Sequence, residues 1–283
     1  MTRNSNNENW AITMKVLLLG FIALMAVLSI HLGSLWRSNA LVFIKEDVEL
    51  LQNLSLPRGA AASILPLWRR YRSHRYSLLR HIVKYPDAFE IPSTVPKMIV
   101  FDLDATLWWP ETYRLPGSPT LALLGSLGDG LGEGVMGMQV PPNGPTVTLF
   151  PWAREVLQFA FLQSKFENMK FAAVSTSAFP SYVHLCLAIE LFPGVTLGSI
   201  FDYKLIGDTG GLHGPWLTSH FLKLRDLSGI GFNEMVFYDD GLWRDQVGRM
   251  QSILGVLGQT TPSGLSMQTF ILGLERFEQQ SNA

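Results

Sequence analysis

Three short clusters carry most of the reactive side chains: Asp102-Leu103-Asp104-Ala105-Thr106, Ser175-Thr176-Ser177 and Asp239-Asp240. Each sits at the end of a short apolar run: KMIVFDL over Lys97 to Leu103, FAAV over Phe171 to Val174, and MVFY over Met235 to Tyr238. Strand alternation puts Asp102 and Asp104 on one side if the strand continues, and a turn there would still leave both at the strand tip. Up to four carboxylates, Asp102, Asp104, Asp239 and Asp240, would then share one crevice and repel one another unless a cation stood between them. Hard oxygen ligands at that density suit Mg²⁺, which also keeps waters and a phosphate oxygen in its shell. The same set suits covalent phosphoryl transfer. One carboxylate attacks phosphorus, a second moves the leaving-group proton, and hydroxyls such as that of Ser175 bind the phosphoryl oxygens.

The elements that must position these residues alternate along the chain. Helical signals cover Trp152 to Ser164, Pro180 to Leu191, Trp216 to Leu227, Leu242 to Gln251 and Ser266 to Gln279. Between them lie strand signals at Phe171 to Val174, Ile200 to Leu205, Met235 to Tyr238 and Ile253 to Leu257. Such alternation predicts an α/β fold with a parallel sheet covered by helices on both faces. In such sheets the ligand site lies off the carboxyl ends of the strands, where the three clusters fall. The Gly- and Pro-rich stretch 115–148 predicts a long loop or small hairpin inserted over the site.

FDLDATLW resembles the first motif, DxDx[TV], of the haloacid dehalogenase superfamily, with Ser175 at its second motif and Asp239-Asp240 at its acidic fourth. More narrowly, FDLDATLWWPE, LFPWAREVL, AAVSTS, TSHFLKL and MVFYDD together are similar to the magnesium-dependent phosphatase-1 family, from about Val95 to Phe277. The resemblance implies a Rossmann-like core without a large cap domain, Asp102 as nucleophile and Asp104 as acid/base. It also implies Mg²⁺ held by Asp102, the Asp104 backbone carbonyl and one of Asp239 or Asp240. Such a site would take phosphotyrosine-like or sugar-phosphate groups, on a phosphorylated small molecule or a phosphoprotein.

The chain departs from that family at the third motif. The position expected to hold Lys is Leu217, and the Arg expected after Ser175 is Thr176. The expected phosphate contacts are therefore Thr106, Ser175, Thr176 and Lys204, with Lys223 as the other nearby Lys. Losing a buried cation beside clustered carboxylates should weaken phosphate binding by a few kcal/mol. This keeps a second reading open: a catalytically impaired pseudophosphatase acting as a membrane-anchored binding protein. A dehalogenase is disfavoured, because Asp104 supplies proton transfer that carbon–halogen cleavage does not need.

The rest of the chain bears on location. Residues 1–15 are a short polar start, and 16–36 form an apolar run of about the length that crosses a bilayer. That run is expected to be a single transmembrane anchor, with a cleaved signal sequence or a buried helix as alternatives. Residues 37–95 read as a basic juxtamembrane linker carrying Arg69, Arg70, Arg72, Arg75 and Arg80, which would touch anionic lipid and favour a cytosol-like side for the catalytic part. The phosphatase domain is expected over 96–283. A formal net charge of -1 gives no global field for nucleic acid, and Cys186, the one cysteine, rules out an internal disulfide and reads as a small core residue.

Overall fold

The computed structural model describes residues 90–128, 131–207, 217–242 and 244–282. The expected anchor over 16–36 and nearly all of the expected basic linker, to residue 89, lie outside them. No helix among the described residues is long and apolar enough to cross a membrane.

Five strands make a parallel sheet: β1 (Met98–Phe101), β6 (Lys170–Ser175), β9 (Tyr203–Ile206), β10 (Met235–Asp239) and β11 (Leu257–Thr260), in the order β11-β10-β1-β6-β9. Every residue of β1 and β10 is buried. Strands covered on both faces read as continuous apolar runs, which is why MIVF and MVFY carry no alternation. The chain runs outward from β1 through β6 to β9, then returns to the other side of β1 as β10. The strand order therefore reverses at β1, and a crevice opens off the strand ends at such a point.

Helices pack on both faces. On one, α4 (Thr218–Ser228) and α5 (Gln246–Leu254) bring Phe221, Leu224, Val247 and Met250 onto Met98, Val100, Ala172 and Phe237. On the other, Phe101 stacks on Phe171 (6.4 Å) and Tyr238 (5.6 Å), and Tyr238 stacks on Phe270 of α6 (Met267–Ser281). The Tyr238 hydroxyl donates to the Phe270 carbonyl at 2.7 Å, so a buried phenol is satisfied and α6 is held on β10. Gly273 makes this approach feasible: a Cβ there would lie 2.8 Å from Tyr238 Cζ. Also on this side is α1 (Pro151–Leu162), which opens with a proline, a residue that fits the first helical position. Two further helices, α2 (Pro180–Cys186) and α3 (Leu197–Ile200), lie between β6 and β9 in the chain. Cys186 is fully buried, and burial pushes its thiol up to about 12, so it is the expected inert core residue.

The Gly-rich stretch is a hairpin with more order than a loop. Strands β3 (Leu121–Ser126), β4 (Glu133–Gln139) and β5 (Thr146–Leu149) join β2 (Trp108–Trp109) in an antiparallel sheet, β2-β5-β4-β3. Its position is fixed from the core side. Gln158 Nε2 on α1 donates to the carbonyls of Leu127 and Leu191, and the Val135 N–H donates to Glu190 Oε2 at 2.9 Å.

Several boundaries shift from the sequence expectation. The helix expected over Pro180–Leu191 stops at Cys186, and Glu190–Phe192 forms a short strand, β7. The helix expected from Leu242 begins at Gln246, because Gly241 and Leu242 are bonded back to the acidic pair. The last sheet strand begins at Leu257, where the expected strand ends.

Candidate active site

Asp102 follows directly on the central strand, and its own N–H still donates to the Tyr238 carbonyl of β10. Beyond it the chain turns sharply. Ala105 adopts a φ of 59°, a left-handed conformation that costs a non-glycine residue roughly 1 kcal/mol or more. The turn is closed by the Leu107 N–H to the Leu103 carbonyl (2.8 Å) and the Ala105 N–H to the Trp108 carbonyl (3.0 Å). It brings Thr106 back under Asp102, where the Thr106 hydroxyl donates to Asp102 Oδ2 at 3.1 Å.

One cavity, of roughly 250 Å³, is lined by Asp102, Asp104, Ser175, Thr176, Asp239 and Asp240. The three sequence clusters thus meet at the carboxyl ends of β1, β6 and β10. Burial is the main cause that raises the Asp102 carboxyl well above its ordinary range, followed by the charges of Asp239, Asp104 and Asp240. Burial likewise pushes Asp239 up to about 7, against a hydrogen bond from the Gly241 N–H that lowers it. Asp240 is raised by burial too, opposed by the Leu242 N–H. These are carboxylates held together where water solvates them poorly, the situation a divalent cation relieves.

Asp104 is bound differently. Its Oδ1 accepts from Trp108 Nε1 (2.6 Å) and the Thr112 N–H (2.9 Å), and its Oδ2 accepts from the Thr112 hydroxyl (2.7 Å). Burial raises its pKa and these three donors pull it back. The Asp104 side chain is therefore oriented by the protein rather than turned over to a metal. Among the described residues no three His, Cys, Asp or Glu side chains are grouped to hold a metal ion by themselves. A set of two carboxylates, one backbone carbonyl and waters does not need such a group, and it fits a cation that keeps much of its water. The Asp104–Trp108 bridge uses the carbonyls of Leu103 and Trp108, and so leaves the Asp104 carbonyl outside it.

Ser175 is buried at the end of β6, and its Oγ accepts from the Ser177 N–H at 3.2 Å, which does not spend its own proton. Ser177 lies 3.1 Å from the Thr112 hydroxyl, joining the β6 tip to the partners of Asp104.

Two expected phosphate contacts stand elsewhere. Thr106 is fully buried and its hydroxyl serves Asp102, not a substrate. Lys204 Nζ donates to the carbonyls of Gly198 (2.9 Å) and Phe201 (3.1 Å) at the end of α3, so the ammonium is drawn to a helix C-terminus. Lys223 is exposed on α4. Leu217 does line the cavity, yet it is 1% exposed and belongs to the apolar core with Phe221.

Sequence reasoning missed Thr112, Glu111, Tyr113, Gln246 and Arg244, of which all but Thr112 line the cavity, and it gave Ser177, which also lines it, no role. Thr112 and Tyr113 lie in the short 3₁₀ turn Thr112–Arg114, too far past the first motif for spacing to flag them. Of the nearby tryptophans, Trp108 is buried against Asp104, while Trp109 and Trp152 are exposed at 45% and 61%. The aromatic side chain on the cavity is Tyr113.

The sequence profile of the acid phosphatase family matches residues 94–280. The human protein named magnesium-dependent phosphatase 1 is 30% identical over 186 residues, which is 65% of this chain and 88% of that protein. Among solved structures, the N-terminal part of a Bacteroides fragilis protein, containing a phosphatase domain complexed with Mg, is 14% identical over 66% of this chain and 40% of its own, at a TM-score of 0.38. That likeness is too slight to argue from. The family match and the human relative are enough: this chain belongs to the acid phosphatase family, alongside the magnesium-dependent phosphatase-1 proteins that its motifs resemble.

Proposed function

We propose that this chain is a Mg²⁺-dependent phosphatase that hydrolyses phosphomonoesters through an aspartyl-phosphate on Asp102. The observation that carries the reading is the meeting of Asp102, Asp104, Ser175 and Asp239 on one cavity at the reversal point of the sheet. The residues fit the metal: Asp102, the Asp104 carbonyl and Asp239 would hold it. Asp239 is preferred over Asp240 because it follows Tyr238, the register partner of Phe101, just as Asp102 follows Phe101, so the two acids end neighbouring strands side by side. When bound, Mg²⁺ screens the repulsion between an anionic nucleophile and an anionic phosphate.

The chain's own groups account for the rest. Thr106 fixes one Asp102 oxygen, so the carboxylate is presented in one orientation. Asp102 attacks phosphorus, the bond to the leaving oxygen breaks, and Asp104 gives that oxygen its proton. Water then attacks the same phosphorus and yields its proton to Asp104. The bond to Asp102 breaks, releasing inorganic phosphate and restoring both carboxyl groups. Asp104 is equipped for this double role. Burial favours its protonated form, and Trp108 and Thr112 favour its carboxylate, which keeps both states within reach. Ser175 offers a hydroxyl proton to a phosphoryl oxygen.

The substrates this cavity suits are compact phosphomonoesters, aryl or sugar phosphates, whose ring would meet Tyr113 and Glu111 at the wall. The test is turnover of p-nitrophenyl phosphate by the full chain with and without Mg²⁺. Asp102→Asn should lower kcat by roughly 10³-fold or more, as expected for loss of a covalent nucleophile. Equal background rates in the two proteins would end the reading.

A further inference from the structure

We propose that Arg244 is the phosphate-binding cation of this site, supplied from the loop before α5 instead of from position 217. The inference rests on the phosphatase reading and specifies how its substrate is held. Five acidic residues line the cavity, Asp102, Asp104, Glu111, Asp239 and Asp240, and among its described lining residues Arg244 is the one that carries positive charge. A phosphomonoester dianion entering this cavity needs a cationic donor besides a metal. Leu217 cannot provide one, and the Lys204 ammonium is committed to the end of α3.

The loop that bears Arg244 is built from the acidic pair itself. Asp239 Oδ1 accepts from the Gly241 N–H (2.8 Å), and Asp240 Oδ1 accepts from the Leu242 N–H (2.9 Å). Gly241 takes a φ of 69°, which turns the chain back across the strand ends at little cost for glycine. At the far side the Arg244 carbonyl accepts from the Gln246 N–H (2.7 Å), and Asp245 caps α5 by accepting from the Gly248 N–H (2.7 Å). Gln246 Oε1 in turn accepts from the Leu217 N–H at 3.3 Å, so the position lacking its Lys is bonded to the loop that carries Arg244. The backbone is thus fixed on both sides of Arg244, while the residue is exposed and lines the cavity. A guanidinium is always charged and offers a planar fork to two phosphoryl oxygens at once, which a Lys at 217 would not.

The full chain is assayed with p-nitrophenyl phosphate and Mg²⁺ as wild type, R244A, R244Q, R244K, D102N and the exposed-helix control K223A. Inorganic phosphate serves as competitive inhibitor, and thermal midpoints are recorded for each. R244A and R244Q should raise both KM and the phosphate inhibition constant by about 30-fold, the size of a lost charge-assisted pair, with a smaller fall in kcat. R244K should recover part of that loss and K223A should match wild type. If R244A and R244Q keep phosphate affinity within twofold while D102N is inactive, phosphatase chemistry stands and the Arg244 assignment is overturned. If wild type turns over nothing, the phosphatase reading fails. Calorimetric titration of inorganic phosphate then decides Arg244 by itself: binding lost in R244Q supports it, and equal binding refutes it.

Discussion

The two larger sheets of this molecule are built to opposite specifications. In the parallel sheet the central strands β1 and β10 are buried throughout and carry the acids at their tips. In the antiparallel sheet β3 is largely exposed, with Leu121 at 43% and Leu124 at 74%. The first must hold carboxylates that repel one another in a poorly solvated crevice, so it needs a rigid, close-packed base. The second buries Met138, Val147 and Leu149, is hydrogen-bonded to Gln158 and Glu190 at its rim, and presents β3 to solvent. Chemistry is anchored in the sheet that tolerates little change, and the sheet that tolerates more lies outside it.

Four substitutions or conditions would break or sharpen that contrast. Gly273→Ala should do most damage, because its Cβ meets Tyr238, which is stacked between Phe101 and Phe270. We expect a loss of about 2–3 kcal/mol in chemical denaturation, as for overpacking of a dense core. Thr112→Val removes the hydroxyl donor from Asp104 Oδ2 and the link to Ser177 while leaving the Thr112 N–H in place. It should lower kcat by about tenfold with little change in KM, the loss of one orienting hydrogen bond at a reacting group; an unchanged kcat would show that Asp104 is oriented without it.

Metal removal tests the crevice itself. The Asp102 and Asp239 pKa values are raised in the folded chain, Asp239 to about 7, so the folded state binds more protons than the unfolded state between the ordinary carboxylate range and about pH 7. The sign follows: without Mg²⁺ the thermal midpoint should fall by a few degrees as pH rises through that window, and saturating Mg²⁺ should flatten the slope. A metal-free chain that gains stability with rising pH would contradict the packing of acids described above. Leu124→Ser, on the exposed face of β3, should change stability by no more than about 0.5 kcal/mol. A loss comparable to that of Gly273→Ala would mean the two sheets are not built so differently.

Much of the parallel sheet was legible in the sequence, because a strand covered on both faces has to be an unbroken apolar run, and MIVF and MVFY are such runs. The acids and Ser175 at their ends were legible for the same reason: polar residues that end a buried strand have few other places to be. The small sheet was less so. Glycines that read as breakers sit inside its strands for packing: a Cβ on Gly137 would come within 2.8 Å of the Val147 carbonyl and of Thr148 Cγ2. Lys204 was chosen as the Lys nearest the expected place along the chain, and the carbonyls at the end of α3 claim it instead. Arg244 was hidden by the opposite effect. The turn at Gly241, bonded back to the acidic pair, leads to it at a cavity whose walls also come from β1, β6 and the 3₁₀ turn at Thr112, segments far away in the chain.

Trp108 occupies both sheets' territory. Its backbone is the end of the small sheet, paired with Leu149 of β5, and its indole nitrogen holds Asp104. The Asp104 carboxyl and the hairpin are therefore joined through one residue, like two beads on one short wire. If Asp104 carries the proton as proposed, a displacement of β5 would change the angle at which it meets the leaving group. A bulky substituent that leans on the hairpin would then register as altered turnover before it registered as altered affinity.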